Sequence, residues 1–364
     1  MDSFYPTTKA DWYKKISKDL NIELEKIPSF INRDGRAYSP FLTQEDLPTN
    51  WQNISQANAT DNYSRPCLFC PISSDNRKLD NLFRKFSNQP TPKLFLNASK
   101  LPSYQIEDAI DSFTPMPKDW DFEIILPRAA DKFLYCWGQK FEPILDNNTY
   151  CHIAPNPLDG ETEQVNPLQL KTFHVIKFKD ENSLENSIGN LFEKISNELL
   201  GSSVQKLLVT WQIGEHLIEE ISSIRAFRYV FYEWAKIHFK QDIKLQIHIE
   251  CGHFEESAEK ANHLINISHQ VCMGALINAD FLSIDHNRLE ENFAAYETIE
   301  VILSEAELAN CKNPFGGSYV IEKISADLAK NLIDKIAQPT ALEQKTEKRT
   351  KEHKYQAAGL APYT

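Results

Sequence analysis

Six polar side chains lie in short apolar runs that read as strands, and their types are suited to acid/base work or to holding a polar ligand. His152 lies in TYCHIA (149–154), His174 in TFHVIKF (172–178), Gln212 in KLLVTWQI (206–213), His248 and Glu250 in KLQIHIEC (244–251), and Asp285 in ADFLSID (279–285). Imidazoles exchange protons near neutral pH, carboxylates accept them, and an amide orients either partner. His248, His174 and Gln212 are the catalytic candidates; all six are candidates for a substrate pocket. A structural reading has comparable weight for each, because barrel interiors often bury a satisfied His or Gln.

For these groups to act together the fold must bring strand ends to one place. Eight runs qualify as strands: the five above and CLFC (67–70), KLFLNA (93–98) and FEIILP (122–127). Helical patterns separate several of them, most clearly at 183–200, 215–240 and 255–277. Strands alternating with helices imply parallel pairing with right-handed crossovers, and eight such units close a TIM-type (β/α)8 barrel whose C-terminal strand ends line a pocket. The connections 128–148 and 155–170 show little helix, so the barrel is expected to be shortened there; an open doubly wound sheet is the competing arrangement. Ahead of it, residues 1–47 form an expected N-terminal helical arm. Thr8 is a candidate N-cap with Asp11 three residues on. Trp12, Ile16 and Leu20 share a helix face, and Asn32–Arg36 is an Asp-Gly turn. The polar, aperiodic stretch 48–66 reads as a linker, 67–336 as the barrel and 337–364 as a tail.

Composition removes several functions. The 364 residues hold 39 Lys and Arg against 51 Asp and Glu, a net charge of −12, so a phosphate-tracking nucleic-acid surface is not expected. No run approaches the roughly 20 apolar residues of a membrane span, and the N-terminus lacks the basic and apolar regions of a signal peptide, which gives a cytoplasmic expectation. Seven cysteines are an odd, sparse set, and Cys67-x-x-Cys70 has no second pair at zinc spacing, so no metal is expected. Dinucleotide, Walker and Gly-x-Ser-x-Gly loops are absent.

The conspicuous glycines are in Asn313-Pro314-Phe315-Gly316-Gly317-Ser318-Tyr319, a corner expected to lead through an apolar run to a helix capped by Ser325. This corner resembles the Asp-Pro-x-Gly-Gly-Ser-Tyr segment of the methylmalonyl-CoA mutase family. Three further segments follow the same family in order. EISSIRAFR (220–228) is similar to its Glu-Ile-Ala-Lys-Leu-Arg-Ala-Ala-Arg helix. KLQIHIECG (244–252) is similar to Leu-Arg-Thr-His-x-Gln-Thr-Ser-Gly, with His248 at the His. AAYETIEVILSEAEL (294–308) resembles the helix before the corner. The Trp12 helix and DGRAYSPFLTQEDL (34–47) resemble the arm of the family's small, non-catalytic subunit.

The resemblance implies a barrel through which coenzyme A threads, with adenosylcobalamin held over its mouth by a separate domain carrying an Asp-x-His-x-x-Gly loop. That loop is missing here, since Asp285-His286 has the wrong spacing. Gln246 stands where the family has a coenzyme-A-contacting Arg, and Asn266 replaces another Arg. The expectation is therefore a small (beta) subunit of a methylmalonyl-CoA mutase-type heterodimer, not catalytic by itself. It would bind no cofactor, with adenosylcobalamin on a catalytic large (alpha) partner and acyl-CoA as an uncertain ligand. Two alternatives stay open: an active acyl-CoA mutase component that borrows a separate cobalamin-binding protein, and a non-enzymatic barrel that binds another small ligand through His152, His174 and His248.

Overall fold

A computed structural model describes residues 8–49, 51–59, 64–72, 93–98, 101–112, 122–125, 130–141, 150–152, 171–178, 184–199, 206–214, 216–239, 242–252, 260–284, 289–308 and 313–336. Helix α1 (Lys9–Leu20) opens as its sequence requires: Thr8 Oγ1 accepts from the Asp11 amide while the Asp11 carboxylate accepts from the Thr8 amide. Trp12 stacks on Phe41 at 4.6 Å between ring centroids, and Lys9 pairs with Asp46 at 2.5 Å, so α1 lies against the chain that follows it. Strands β1 (Phe30–Ile31) and β2 (Ala37–Tyr38) form an antiparallel hairpin whose turn uses Gly35 at φ 78°. Phe30 and Tyr38 pack on the core outside the barrel sheet.

The stretch read as a linker contains a helix. Helix α2 (Trp51–Ala57) seats the fully buried Ile54, and Asn58 Nδ2 donates to the carbonyls of Ile54 and Arg225. One apolar anchor and one amide that satisfies two carbonyls are enough to dock seven residues, too faint a signal for composition to show.

The barrel strands are β3 (Arg65–Pro71), β4 (Lys93–Asn97), β5 (Phe122–Ile125), β6 (Tyr150–His152), β7 (Lys171–Phe178), β8 (Lys206–Gln212), β9 (Lys244–Cys251) and β10 (Phe281–Ile284). They are parallel and closed, with β10 pairing to both β9 and β3, which settles the barrel against the open sheet. Between them come α3 (Ile106–Asp111), α4 (Ala130–Phe141), α5 (Leu184–Leu199), α6 (Leu217–His238), α7 (Lys260–Leu276), α8 (Leu289–Glu305) and α9 (Tyr319–Ile336). Helix α4 corrects the expectation of little helix at 128–148. Its Phe133 and Trp137, four apart, are fully buried and stacked, but the segment is short and Gly138 blurs the pattern. The 155–170 connection and the 337–364 tail lie outside the described residues. Ser325 does not cap a helix: α9 already starts at Tyr319, and Ser325 is buried within it. The run Tyr319-Val320-Ile321 is thus a first helical turn, because Gly317 at φ 85° completes the turn immediately before it.

Strand alternation divides the core. Leu207, Val209, Trp211, Leu245, Ile247 and Ile249 belong to the large cluster shared with the helices. Cys67, Phe95, Leu208 and Phe281 form a separate cluster. Since Phe95 on β4 and Leu208 on β8 come from opposite sides of the closed sheet, that second cluster occupies the barrel axis. Outside, α2 and α9 pack over α6, which therefore buries residues on several faces, including Glu219, Glu220, Arg225 and Arg228. No helix among the described residues is long and apolar enough to cross a membrane.

Candidate functional site

The interior faces of β8 and β9 carry Leu208, Thr210 and Gln212 beside Gln246, His248 and Glu250, paired position by position in the register. His248 is fully buried. Its Nδ1 lies 3.1 Å from Thr210 Oγ1 and its Nε2 2.8 Å from Ser283 Oγ on β10, so three adjacent strands supply one hydrogen-bonded group. A hydroxyl can donate or accept, so this pair satisfies either neutral tautomer of the imidazole. The ring stacks on Phe95 at 6.4 Å, and Phe95 meets Phe281 edge-on at 5.4 Å. One layer toward the strand ends, Gln212 Nε2 donates to Glu250 Oε2 at 3.0 Å. In the opposite direction lies Gln246, 7% exposed, whose Oε1 has no hydrogen-bond partner among the described residues.

Three of the six candidates are thus brought together: Gln212, His248 and Glu250. His152 ends β6, in register with Ile125 on one side and Phe173 on the other. His174 pairs with Leu207, one step out of phase with the Leu208–Thr210–Gln212 series. Asp285 lies outside the described residues. The sequence reading missed Thr210 and Ser283; for Thr210 the signal is visible, since Thr210 and Gln212 alternate with apolar neighbours in β8 as Gln246, His248 and Glu250 do in β9, whereas Ser283 is one polar residue in a four-residue strand.

The group can pass a proton between imidazole and hydroxyl, but both ring nitrogens are engaged and aromatic side chains fill the axis beside it. Among the described residues no three His, Cys, Asp or Glu are grouped to hold a metal. Cys67 and Cys70 are both buried on β3, and burial pushes the Cys70 thiol up to about 12, far from the range of a reactive thiolate.

Two of the segments that carry the family resemblance, 220–228 and the glycine corner, meet elsewhere, outside the barrel sheet. Arg225 on α6 forms an ion pair with Glu322 on α9 at 2.7 Å and donates to Asn313 Oδ1 at 2.5 Å. Asn313 Nδ2 reaches Ser55 Oγ at 3.3 Å, and the Gly317 amide reaches Glu322 Oε1 at 3.3 Å. Burial pulls the Arg225 guanidinium below its usual value while Glu322 opposes the shift. This is a latch joining α2, α6, α9 and the glycine corner.

Among curated proteins none matches significantly. Two solved structures are similar at low scores. A crystal structure of Plasmodium falciparum HPPK-DHPS has a TM-score of 0.38 and 11% identity, over 88% of this chain and 56% of that one. A flavocytochrome b2 mutant has a TM-score of 0.28 and 12% identity, over 90% of this chain and 93% of that one. The present chain thus spans little more than half the length of the first of these. Residues 200–346, the part that holds β8 to β10, the Arg225–Glu322 pair and the glycine corner, match the family model of methylmalonyl-CoA mutase.

Proposed function

We propose that this chain is the small, non-catalytic subunit of a methylmalonyl-CoA mutase-type heterodimer, with turnover and adenosylcobalamin on a large partner subunit. The observation that carries the reading is the filled axis: Phe95, Phe281, Leu208 and Cys67 touch across the barrel at the level of His248. A threaded pantetheine arm needs that space. Gln246 supports the same view, because a neutral amide in place of Arg gives up a charge-assisted bond to an anionic ligand. On this reading His248 stiffens the interior instead of transferring protons to a substrate.

Calorimetric titration with methylmalonyl-CoA tests the filled axis. The expected result is no binding tighter than about millimolar, roughly −4 kcal/mol. Micromolar binding would overturn it and favour the active-component alternative, in which the His248–Thr210–Ser283 group serves as a proton relay. Turnover on adding adenosylcobalamin with a separate cobalamin-binding protein would then follow. Size-exclusion of the chain with its cognate large subunit tests the partnership: a complex at micromolar concentration is expected, and two separate peaks would sink it.

A further inference from the structure

The arm hairpin is joined to the mouth of the barrel by a continuous run of hydrogen bonds. Arg33, in the β1–β2 turn, reaches over the start of α6. Its backbone amide donates to Glu219 Oε1 at 2.8 Å, its Nε donates to Glu219 Oε2, and its Nη2 lies 3.4 Å from Glu220 Oε1. Glu220 is buried and accepts from Trp211 Nε1 at 3.0 Å and from the Gly214 amide at 3.3 Å. Gly214 lies in the loop leaving β8, two residues past Gln212. In the same loop the Ile213 carbonyl accepts from Gln270 Nε2 at 3.3 Å, and Gln270 Oε1 accepts from the Gly252 amide at 2.9 Å. Gly252 follows β9, two residues past Glu250. Gln270, buried on α7, thus ties the β9 loop to the β8 loop, and Glu220 ties the β8 loop to the arm.

The energetics make Arg33 the sensitive member. Glu219 and Glu220 are adjacent carboxylates, both nearly inaccessible to water, in the first turn of α6. The helix dipole favours acidic side chains there, and Arg33 is a cation that contacts both. Moving Arg33 away removes the cation that both acids contact. Glu220 then has reason to leave Trp211 and Gly214, and the β8 loop loses the group that fixes it.

We propose that Arg33 is a positioning residue for the barrel mouth: through Glu220 and Gln270 it holds the β8 and β9 loops in one arrangement, and displacement of the arm hairpin loosens both loops together. The proposal goes beyond the subunit reading and holds whether or not the barrel takes acyl-CoA.

Hydrogen exchange of the full chain, followed by mass spectrometry, reads it directly, since the Gly214 and Gly252 amides are themselves the donors. Arg33→Ala is expected to raise exchange about tenfold in peptides covering 212–214 and 250–252, the order of one lost hydrogen bond, with α9 and β4 unchanged. Arg33→Lys should restore part of the protection. Gln270→Ala should expose Gly252 alone, and in that background Arg33→Ala should add nothing at Gly252. An unchanged Gly252 in Arg33→Ala overturns the proposal, as does a uniform rise that includes α9 and β4, the mark of general loosening. Should Arg33→Ala fail to fold, Arg33→Lys is read in the same peptides, where exchange equal to wild type at both glycines counts against the proposal.

Discussion

The two sides of the barrel are built differently. On the side of β3 to β6 the ladders made by β5 and β6 are short, with β5 contributing four residues and β6 three. The sheet there leans on apolar contacts such as the fully buried Leu94, Leu96 and Ile124. On the side of β8 to β10 the β8–β9 ladder runs over seven paired positions, and buried charges brace it from outside: Arg225 with Glu322, and Arg228 on the carbonyls that end α7. The family match falls on the second side. Charged and polar latches demand particular residue types at particular places, whereas an apolar strand accepts many sequences of similar volume. That difference is consistent with recognisable motifs on the side of the buried ion pairs.

Breaking the latch should have the largest effect. Arg225→Ala leaves Glu322 charged and buried without its partner, which costs about 3–5 kcal/mol. Urea unfolding followed by circular dichroism should show the lower midpoint. The double change Arg225→Met/Glu322→Leu should regain most of the loss, because apolar groups of similar size replace a buried pair at little cost. A double variant as unstable as the single one would mean that Asn313 and the glycine corner, not the ion pair, carry the brace.

On the other side, Leu94→Ala should cost about 2–4 kcal/mol through the cavity it leaves. Its footprint in hydrogen exchange should stay within β3 to β6, while that of Arg225→Ala should spread through α6, α9 and β8 to β10. Identical footprints would show one cooperative unit and erase the distinction between the sides. Within the axis, His248→Ala should cost about 1–3 kcal/mol in the same urea assay, since the Thr210 and Ser283 hydroxyls lose their buried partner. A loss below that range would show that water takes over the imidazole's place.

How legible all this is from sequence depends on the range of the interaction. The strands show because each is a local apolar run, and the capping box at Thr8 and Asp11 shows because it spans three residues. Helix α2 hides because one residue, Ile54, anchors it. Thr210, His248 and Ser283 become a group only once the register of three strands is known; without it, His248 is one polar residue in an apolar run. Arg33 and Glu219 lie 186 residues apart, so no spacing rule connects them. The latch is a mixed case: its residues stand in recognisable motifs, but nothing in the spacing says that Arg225 meets Glu322.

Two buried thiols report on the sides separately, with the smallest perturbation. Cys70 is on β3 and Cys251 on β9, both completely inaccessible to water. Burial raises each thiol, Cys70 to about 12 from its ordinary value of 9.0; for Cys251 the neighbouring Glu250 adds to the rise. An acid whose folded value is raised favours its neutral form when folded. Its contribution to stability is therefore complete below about pH 9 and fades as pH climbs toward 12. At pH 8 the native chain should let iodoacetamide reach the half-exposed Cys136 and Cys272 while Cys70 and Cys251 stay unmodified. With urea held below the unfolding midpoint, labelling then requires local opening, and its rate follows the population of the open state. If the short ladders of β3 to β6 open first, Cys70 labels ahead of Cys251 in peptide mass spectra; Cys251 labelling first would reverse the order of stability between the two sides.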